Sequence, residues 1–373
     1  MDKYLHIICL DIPYPPDYGG VFDLYYKLRA LHEEGIKIHL HCFEYGRARQ
    51  KELNRFCTEV KYYPRLTGLR GFSLSLPYIV SSRKNEALFQ NLLKDDYPIL
   101  IEGIHCSYLL KDKRFKGRSI FLRLHNVEYS YYRELFQTTN SIFKKWYYSI
   151  ESKMLFRYEA SIAGKVMIVA VSEHDLKAYC EIFNCLKIVY LPVFVPYTEV
   201  LAQEGNGNYC LYHGNLSVAE NEKAAGWLLE DVFNDIDASF VIAGKNPSSH
   251  LQKLVSKRPN TCLVANPSEK EMQDLIAKAQ INVLPSFNNT GIKIKILNAL
   301  FNGRHCVVNN EAMLGMSYAN TCHIGSNANE IKNLIVQLYS QPFCGDEVKN
   351  RKILLEGVYD NSKNAKQLIQ WIW

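Results

Sequence analysis

Residues 4–43 are YLHIICLDIPYPPDYGGVFDLYYKLRALHEEGIKIHLHCF and contain one complete strand, turn, helix and strand pattern. The runs YLHIICL (4–10) and IKIHLHCF (36–43) are rich in apolar and β-branched residues, which is typical of buried strands. Between them, residues 21–35 repeat apolar residues at helical spacing and end on Gly35, a common residue after a helix. A crossover of helix length joins parallel strands. This stretch therefore predicts the first unit of a doubly wound α/β domain.

The same alternation continues along the chain and is interrupted once. Residues 191–209, LPVFVPYTEVLAQEGNGNY, contain two prolines, two glycines and no sustained period, which indicates an interdomain linker. A second series of strands and helices follows, beginning at YCLYHGN. We predict an α/β protein of two doubly wound Rossmann-like domains facing a cleft. Residues 1–195 form an acceptor-side domain, residues 208–357 form a nucleotide-sugar-binding domain, and a final helix, 361–373, crosses back to the first domain.

Length and composition support this division and limit the class of protein. A chain of 373 residues with 47% hydrophobic content exceeds what a single core usually organises. No apolar run reaches the roughly 20 residues of a membrane span, and the N-terminus does not resemble a signal peptide, so we expect a cytoplasmic protein. The eleven cysteines lack C-x-x-C spacing and are expected to be reduced core residues. Histidine spacing suggests no bound metal.

Positive charge is concentrated in the first half of the chain. Residues 1–200 hold 28 Lys and Arg against 22 Asp and Glu, whereas residues 201–373 hold 16 of each. A basic face there would attract an anionic acceptor or an anionic membrane, and a solvated surface without a ligand is the alternative. Residues 141–160, SIFKKWYYSIESKMLFRYEA, mix basic and aromatic residues as interfacial helices do, although a core-facing helix is also consistent. We predict peripheral contact at the inner face of the membrane and no nucleic-acid partner.

Polar residues follow several predicted strands of the first domain, at the sheet edge where ligands bind. Gly19 and Gly20 precede a helix, so the backbone there can approach a phosphate, although ordinary glycine turns look the same. His125 follows the strand SIFLRL and can donate a hydrogen bond to a sugar hydroxyl or a developing charge, with Glu128 nearby. A structural loop histidine is the alternative.

The second domain offers a longer set of groups at its strand ends. The segment FNNTGIKIKILNALFNG (287–303) passes from a strand to a helix through Gly291, and an anion at a helix start is favoured by backbone N–H groups and the helix dipole. Because successive helical residues turn by about 100°, we expect Lys293 to bind phosphate and Lys295 to face solvent. The other predicted donor-site residues lie after earlier strands; they are Gly214, Asn215, Asn221, Gly244, Lys245 and Val264.

Taken in order, PYPPDYGG, RLHNVEY, YHGNL, FVIAGKNPS and GIKIKILNALFNG resemble a GT-B glycosyltransferase of the family 4 type. The resemblance covers nearly the whole chain. It implies a retaining hexosyltransferase without a metal or other cofactor, which uses a UDP- or GDP-linked sugar and a glycan or lipid-linked acceptor in surface polysaccharide synthesis. It also implies that Gly20 and His125 approach the donor sugar. Gly244 and Lys245 would then line the nucleotide site, Val264 would mark the base, and Gly291 with Ile292 would contact the diphosphate.

The chain departs from the family pattern at charged positions. The family usually carries two glutamates separated by seven residues, and here the matching positions are Thr290 and Asn298. Thr290 can reach a sugar hydroxyl, and Asn298 can bind a ribose as a neutral amide. The family's basic pair is replaced by Asn215 and Asn221, so Lys245 and Lys293 are predicted to supply positive charge. Two alternatives stay open, a catalytically degenerate sugar-nucleotide binder and a nucleotide-sugar epimerase with Glu128 as its base.

Overall fold

The computed structural model describes residues 2–17, 19–139, 141–288, 291–316 and 318–373. The chain divides into two compact units, the first formed by residues 1–196 and 359–373 and the second by residues 197–358. Each unit is built on a parallel sheet covered by helices, so the predicted class of two Rossmann-like domains is confirmed. The predicted linker, residues 191–209, contains no helix and a single isolated bridge, between Gly205 and Phe343.

The first unit contains a seven-stranded sheet in the order β3-β2-β1-β4-β5-β6-β7. All its pairings are parallel, with Tyr4 opposite Lys37 and His6 opposite Ile99. The central strands are buried along their length and mostly apolar, as expected where helices cover both faces of a sheet. The strands are β1 (Tyr4–Cys9), β2 (Lys37–Glu44), β3 (Glu59–Pro64), β4 (Ile99–Glu102), β5 (Ile120–Leu124), β6 (Met167–Ala170) and β7 (Ile188–Tyr190).

Helices cover both faces of this sheet. The helix that follows β1 buries Val21, Leu24, Leu28 and Leu31 and ends shortly before Gly35, whose φ of +82° suits glycine. The α-helices are α1 (Gly19–Glu33), α2 (Tyr78–Ser81), α3 (Glu86–Leu92), α4 (Glu128–Thr138), α5 (Ile142–Ile162) and α6 (Glu173–Phe183). Short 3₁₀ helices span Lys51–Arg55, Gly68–Gly71, Ile104–Lys111 and Lys113–Phe115.

The C-terminal helix, Asn361–Ile372, packs on the first unit, as predicted. Its residues Leu368 and Ile372 share one core with Leu28 of α1 and Leu5 of β1. The Asn361 side chain donates to the carbonyl of Val195 at 2.6 Å and accepts from the Val195 N–H at 3.2 Å. These contacts tie the end of the chain to the segment that leaves the first sheet.

The second unit contains a six-stranded parallel sheet in the order β10-β9-β8-β11-β12-β13. Its strands are β8 (Cys210–Asn215), β9 (Phe240–Lys245), β10 (Thr261–Ala265), β11 (Ile281–Val283), β12 (His305–Val308) and β13 (His323–Ile324). Its α-helices are α7 (Ala219–Trp227), α8 (Ser249–Ser256), α9 (Glu269–Lys278), α10 (Ile294–Asn302), α11 (Asn310–Met313), α12 (Ala328–Tyr339) and α13 (Gly345–Leu355), and the C-terminal helix Asn361–Ile372 is α14. A π-helical turn spans Leu228–Val232, and a 3₁₀ turn spans Ala319–Thr321.

Two further features bear on the sequence predictions. Within the described ranges, the helices lack the combination of length and apolar character needed to cross a membrane. The eleven cysteines carry free thiols, and seven of them are buried. Four of the buried ones lie in strands, where Cys9 and Cys42 bring their sulfurs within 3.4 Å. Cys262 and Cys344 are exposed, so the expectation of a core position is wrong for these two.

Candidate functional site

The predicted donor residues of the second unit lie where the order of its strands reverses. Strand β8 pairs with β9 on one side and with β11 on the other, so the chain leaves the centre of the sheet in two directions. The turns after these strands therefore gather at one edge, the position at which open α/β sheets bind ligands. The structure brings Gly214, Asn215, Gly244 and Lys245 together at this edge, since β8 and β9 pair at these residues.

The turn after β8 is braced by amide side chains. Asn215 accepts hydrogen bonds from the backbone N–H and the hydroxyl of Ser217, at 3.1 and 2.7 Å. Asn221, in the first turns of α7, donates from Nδ2 to the Asn215 carbonyl at 3.0 Å. Both side chains thus shape the turn, and Asn221 forms a bridge between the end of β8 and its helix.

Close packing explains the glycines at the ends of β8 and β9. A Cβ added at Gly244 would lie 1.9 Å from the Gly214 carbonyl oxygen and 2.9 Å from Leu216, so a side chain there would force the strands apart. A Cβ at Gly214 would meet the Asn221 amide at 3.3 Å. The glycine at 244 is therefore required by the sheet itself, whether or not a ligand binds.

Strands β9 and β10 end in the same turn sequence, Asn-Pro-Ser. Asn246 and Asn266 adopt left-handed φ values of 51° and 53°, and the Asn266 side chain accepts from the Asn246 N–H at 2.8 Å. The serines that follow, Ser248 and Ser268, cap α8 and α9. Lys245 is exposed immediately before the first of these turns.

Val264 belongs to the strand that precedes the second Asn-Pro-Ser turn. It pairs with Ala243 of β9, and its side chain packs against the cluster that contains Leu211 and Ile276. The structure therefore gives the Val264 side chain a place in the core, and the prediction of a base contact applies to the backbone of the turn that follows.

The segment between β11 and α10 differs from the sequence prediction. Gly291 has a φ of +67°, and the helix begins three residues later, at Ile294, with Lys293 at the capping position. The expectation of a helix start at Gly291 is therefore wrong, because a left-handed residue cannot belong to a right-handed helix. Ile292 is partly buried between them. Thr290 lies outside the described residues.

Lys295 packs inside the unit, so the expectation that it faces solvent is wrong. Its Nζ donates to Asn221 Oδ1 at 3.2 Å and to the Tyr212 hydroxyl at 3.3 Å, and lies 4.7 Å from the centre of the Tyr212 ring. Lys293 precedes the helix, so the turn of about 100° per helical residue does not relate its direction to that of Lys295. Burial, and then the charge of Lys293, lower the pKa of Lys295 to about 7. Lys293 reaches the Gly291 carbonyl at 3.3 Å.

A carboxylate that the sequence prediction omitted lies near these lysines. Glu220, in the first turn of α7, accepts from Asn288 Nδ2 with both of its oxygens, at 2.9 and 3.0 Å. Its charge partly opposes the lowering of the pKa of Lys295. An acidic residue at a helix N-terminus after a strand was the signal that could have identified it.

Asn298 lies one turn into α10 and is partly exposed. Its Oδ1 accepts from Asn302 Nδ2 at 2.9 Å, the next turn of the same helix. The opposite face of α10 is buried through Ile296, Leu297 and Leu300. The amide therefore projects from the polar face and keeps its own N–H groups for another partner.

In the first unit, His125 lies at the end of a row of buried charged side chains. His125 Nε2 lies 3.1 Å from Glu102 Oε2, at the end of β4, and Glu102 lies 2.8 Å from Lys27 Nζ. Lys27 in turn contacts Asp23 at 2.9 Å. Because a carboxylate only accepts, His125 Nε2 carries a proton, and Nδ1 of the neutral ring is an acceptor. Neutral His125 would thus accept from a sugar hydroxyl, and only the protonated ring donates from Nδ1.

Arg123, on β5, is the last charged residue of this row. Its guanidinium donates to both oxygens of Asp23, at 3.2 and 3.1 Å, and to the carbonyls of Leu191 and Pro192. Burial alone would raise the pKa of Asp23, but Arg123 and Lys27 lower it well below its ordinary value. Glu102 was missed by sequence reasoning, although it is the single charged residue at the end of the apolar run PILIEG.

Glu128 is buried, and the charge of Glu159 lies close to it. Glu128 begins α4, and its backbone N–H donates to Glu159 Oε1 at 3.1 Å, while the Tyr129 N–H donates to Oε2 at 2.8 Å. Burial and then the neighbouring Glu159 raise the pKa of Glu128 to about 8. Burial likewise raises the pKa of Glu159 to about 7. Glu128 is therefore mostly protonated at neutral pH.

The predicted glycine turn of the first unit lies at the start of α1. Gly19 is the first residue of this helix and is exposed, and a Cβ added there would meet no atom within 4 Å. Gly20 follows it in the first turn and is partly exposed. The backbone at this helix start is thus open to approach, which is the property that the prediction requires.

Comparisons with known proteins agree with this architecture. A family model described as glycosyl transferases group 1 matches residues 207–341. An uncharacterized 44.6 kDa protein in the cps region of Klebsiella pneumoniae is 30% identical over 321 residues, which is 79% of this chain and 80% of the relative.

Three solved structures share the fold over the whole chain. Sucrose-phosphate synthase from Thermosynechococcus elongatus is 13% identical, with a TM-score of 0.73 and coverage of 99% of this chain and 98% of its own. Anabaena HepE, solved with UDP and glucose, is 11% identical, with a TM-score of 0.66 and 99% coverage of both chains. WaaG, a glycosyltransferase involved in lipopolysaccharide biosynthesis, is 11% identical, with a TM-score of 0.65 and the same coverage. The chain therefore belongs to the glycosyl transferases group 1 and is a glycosyltransferase with the GT-B fold.

Proposed function

We propose that the protein is a retaining hexosyltransferase that moves a sugar from a UDP- or GDP-linked donor to a glycan or lipid-linked acceptor in surface polysaccharide synthesis. The observation that carries this proposal is the cationic edge of the second sheet. There Lys295 is bound to Asn221 and Tyr212, with Lys293 two residues before it on the segment that leaves β11. The cps region in the name of the Klebsiella relative supports a role in surface polysaccharide synthesis, and the UDP-glucose complex of HepE supports a nucleotide-sugar donor.

The donor diphosphate is assigned to this edge on electrostatic grounds. Lys293 and the backbone N–H groups of Gly291 and Ile292 would bind phosphate oxygens, and Lys245 would add a second positive charge. These groups would neutralise the leaving diphosphate, so we propose that transfer needs no metal ion. Asn298 would bind the ribose with its amide, in the place of a family glutamate.

His125 is assigned to the donor sugar. Its ring is fixed by Glu102, which is buried and ionised because Lys27 offsets the cost of burial. A ring held in this way loses little conformational freedom when a sugar hydroxyl binds. Gly20, at the open start of α1, would approach the same sugar or its phosphate.

A non-catalytic sugar-nucleotide binder is the second candidate, favoured by one observation. Where the family carries two glutamates, this chain has Thr290 and Asn298, which cannot supply charge. The epimerase alternative is weaker, because the base predicted for it, Glu128, is 5% exposed and has its pKa raised to about 8. A carboxyl group that is mostly protonated at neutral pH is a poor base.

Two measurements on the full chain test the proposal. Calorimetry with UDP- and GDP-linked hexoses should detect binding of one nucleotide class, in buffer containing a chelator. Transfer of radiolabelled sugar to lipid extracts and to glycan fragments should then give a product whose anomeric configuration, measured by NMR, matches the donor. Binding without transfer would support the non-catalytic alternative, and absence of binding to all donors would refute both.

We also propose that the first half of α5 contacts an anionic membrane. Ile142, Phe143 and Trp146 are 81%, 89% and 72% exposed, next to Lys144 and Lys145. The second half of α5 is buried, through Leu155, Tyr158 and Ile162, so the core-facing alternative applies only there. Exposed aromatic and basic residues together are typical of interfacial helices.

Liposome binding tests this contact with a matched pair of variants. Vesicles containing anionic lipid should co-sediment the protein at low salt, and Trp146→Ser should reduce this binding. Leu186→Ser is the control, because Leu186 is 88% exposed but lies in the turn between α6 and β7. Equal binding by neutral vesicles, or an equal loss in both variants, would contradict the proposal.

A further inference from the structure

We infer a transition-metal site, of the kind that binds Zn²⁺, formed by His305, His323 and Glu347 in the second unit. One ligand atom of each residue lies within 4.8 Å of those of the other two. Two imidazoles and one carboxylate are a common set of protein ligands for zinc, with a water molecule in the fourth position. The site goes beyond the proposed transfer reaction and does not depend on it.

The site lies at the edge of the sheet opposite to the proposed donor site. His305 and His323 are the first residues of β12 and β13, and these strands are parallel neighbours. The donor residues follow the carboxyl ends of β8, β9 and β11 in the same sheet. Glu347 is contributed by the first turn of α13. A metal ion here would therefore connect three elements without meeting the donor.

The hydrogen bonds of His305 leave one ring nitrogen available to a metal. His305 Nε2 lies 3.1 Å from the carbonyl oxygen of Gln341, which only accepts, so this nitrogen carries the proton. Nδ1 is then a lone-pair acceptor; it is buried and forms no hydrogen bond. A histidine ligand in proteins is fixed in the same way, by donating its other N–H to a carbonyl or carboxylate.

Another acceptor lies close to this nitrogen. Glu347 Oε1 lies 3.4 Å from His305 Nδ1, while its Oε2 accepts from the Cys344 N–H at 3.1 Å. Two lone pairs that face each other are stabilised by a cation between them. A metal binds the neutral imidazole, and the proton on Nε2 leaves Nδ1 of His305 as the ligand atom.

Access and local charge are compatible with a bound ion. The rings of His305 and His323 lie 5.4 Å apart, and Glu347 retains 28% exposure of its side chain, which leaves a route from solvent. Arg304, which precedes His305, and Arg351, one turn beyond Glu347 on α13, are nearby charges that oppose a cation. The Arg351 guanidinium donates to the carbonyls of Leu300 and Gly303 at 3.1 and 2.7 Å, and the Arg304 guanidinium donates to the Ala277 carbonyl at 2.7 Å.

Two similar clusters in the described residues lack a buried ring nitrogen that is available to a metal. In the cluster of His6, His39 and Asp95, both ring nitrogens of His6 are engaged, with His41 and with Asp95, each at 2.9 Å. In the cluster of Asp23, Glu102 and His125, the ammonium of Lys27 already occupies the space between the carboxylates. The His305 cluster differs because its buried nitrogen has an unused lone pair.

Metal titration of the full chain tests the site. After treatment with a chelator and its removal, the protein should bind one Zn²⁺ in competition with a chromophoric chelator, and its melting temperature should rise with zinc concentration. Co²⁺ should give the visible bands of a four- or five-coordinate site without the near-ultraviolet band of a cobalt–thiolate bond. That band would indicate binding to the exposed cysteines instead and would overturn the assignment.

Ligand variants make the assignment specific. His323→Ala and Glu347→Gln change partly exposed residues and should each weaken Zn²⁺ binding by about tenfold or more. His250→Ala is the control, since His250 is an exposed histidine on α8. Circular dichroism without zinc should show the same fold for all variants. Failure to bind zinc, or binding that all three variants keep or lose alike, would refute the site.

Discussion

The two units arrange their charged side chains differently at the edge of the sheet where the strands end. In the first unit, Asp23, Lys27, Glu102 and Arg123 are buried, and each contacts a group of opposite charge. In the second unit the corresponding edge carries lysines among neutral amides, and the carboxylate Glu220 is hydrogen-bonded to Asn288.

The difference indicates a division of work between the units. Charges that are paired and buried in the first unit have little left to attract a ligand, but they fix the position of His125. Positive charges in the second unit are braced by neutral groups such as Asn221 and Tyr212, so they remain available to an anion. Preorganised charge of this kind stabilises a leaving diphosphate better than mobile groups do.

We expect the largest effect when one member of the paired buried charges of the first unit is removed. Asp23→Ala leaves Arg123 and Lys27 buried without their partner and also removes the hydrogen bond from the Phe194 N–H at 2.8 Å. Removal of one member of a buried ion pair typically costs about 3–5 kcal/mol. We expect a loss of this size in the free energy of unfolding, measured by urea denaturation.

An exposed pair in the same helix is the control for this prediction. Arg29 and Glu33 lie 2.8 Å apart, but their side chains are 56% and 59% exposed. Glu33→Ala should therefore change the stability far less, because solvent screens the pair. Similar losses for Asp23→Ala and Glu33→Ala would show that the buried network does not hold the first unit together.

The next prediction concerns Glu128 and Glu159, two neighbouring buried carboxyl groups of the first unit. The pKa of Glu128 is raised to about 8 in the folded chain, whereas an unfolded glutamate titrates near 4.3. A raised folded pKa gives stability that is present below the unfolded pKa and is lost as the pH rises through the folded value. The loss is on the order of 1.4 kcal/mol for each pH unit in between.

The variant Glu128→Gln should remove much of this pH dependence. The neutral amide resembles the protonated acid, so unfolding at pH 4 should change little, while at pH 8 the variant should be more stable than the parent chain. Glu181→Gln, an exposed change on α6, should leave the pH profile as it was. A Glu128→Gln profile parallel to that of the parent chain would mean that the carboxyl group is ionised when folded.

The third prediction concerns the binding of an anion by the lysines of the second unit. Lys293→Ala should weaken binding of the nucleotide diphosphate by about 10- to 100-fold, since a hydrogen bond to a charged group contributes about 1.5–3 kcal/mol. Calorimetry with UDP and GDP measures this change. Unchanged affinity would remove Lys293 from the site.

Two further lysine variants identify which ammonium group binds. Lys278→Ala, at the far end of α9 beside Asp274, should have no effect. Lys295→Met tests the partly buried lysine, whose pKa of about 7 should rise when an anion binds beside it. If Lys295→Met weakens binding and Lys293→Ala does not, the diphosphate is bound by Lys295.

Continuous apolar runs made most strands predictable, and the strands without such a run were missed. Most strands of both sheets lie in apolar runs and the longer helices have a clear period, so these elements were identifiable, because a strand buried on both faces needs such a run. The short strand Ile188–Tyr190 was missed because it adjoins the proline-containing linker, and the two-residue strand His323–Ile324 has too few residues to show a pattern.

The site was less predictable because its contacts join distant parts of the chain. Lys295 meets Asn221, and Glu102 meets His125, across separations that no local spacing reveals. The error over Lys295 began at Gly291, whose positive φ delays the helix by three residues. A sequence pattern gives the residues at strand ends, but only tertiary packing decides which of them face a ligand.

The smallest expected effect lies at the position where the family glutamate is absent. Asn298→Ala removes a neutral hydrogen bond to the ribose, which contributes about 0.5–1.5 kcal/mol, so nucleotide affinity should fall about 2- to 10-fold. The same change also removes the contact with Asn302 at 2.9 Å. Asn302→Ala is therefore the matched control, because it breaks that contact and leaves the Asn298 amide. A 2′-deoxy nucleotide should lose affinity with the parent chain but not with Asn298→Ala; equal losses in both would mean that Asn298 does not contact the ribose.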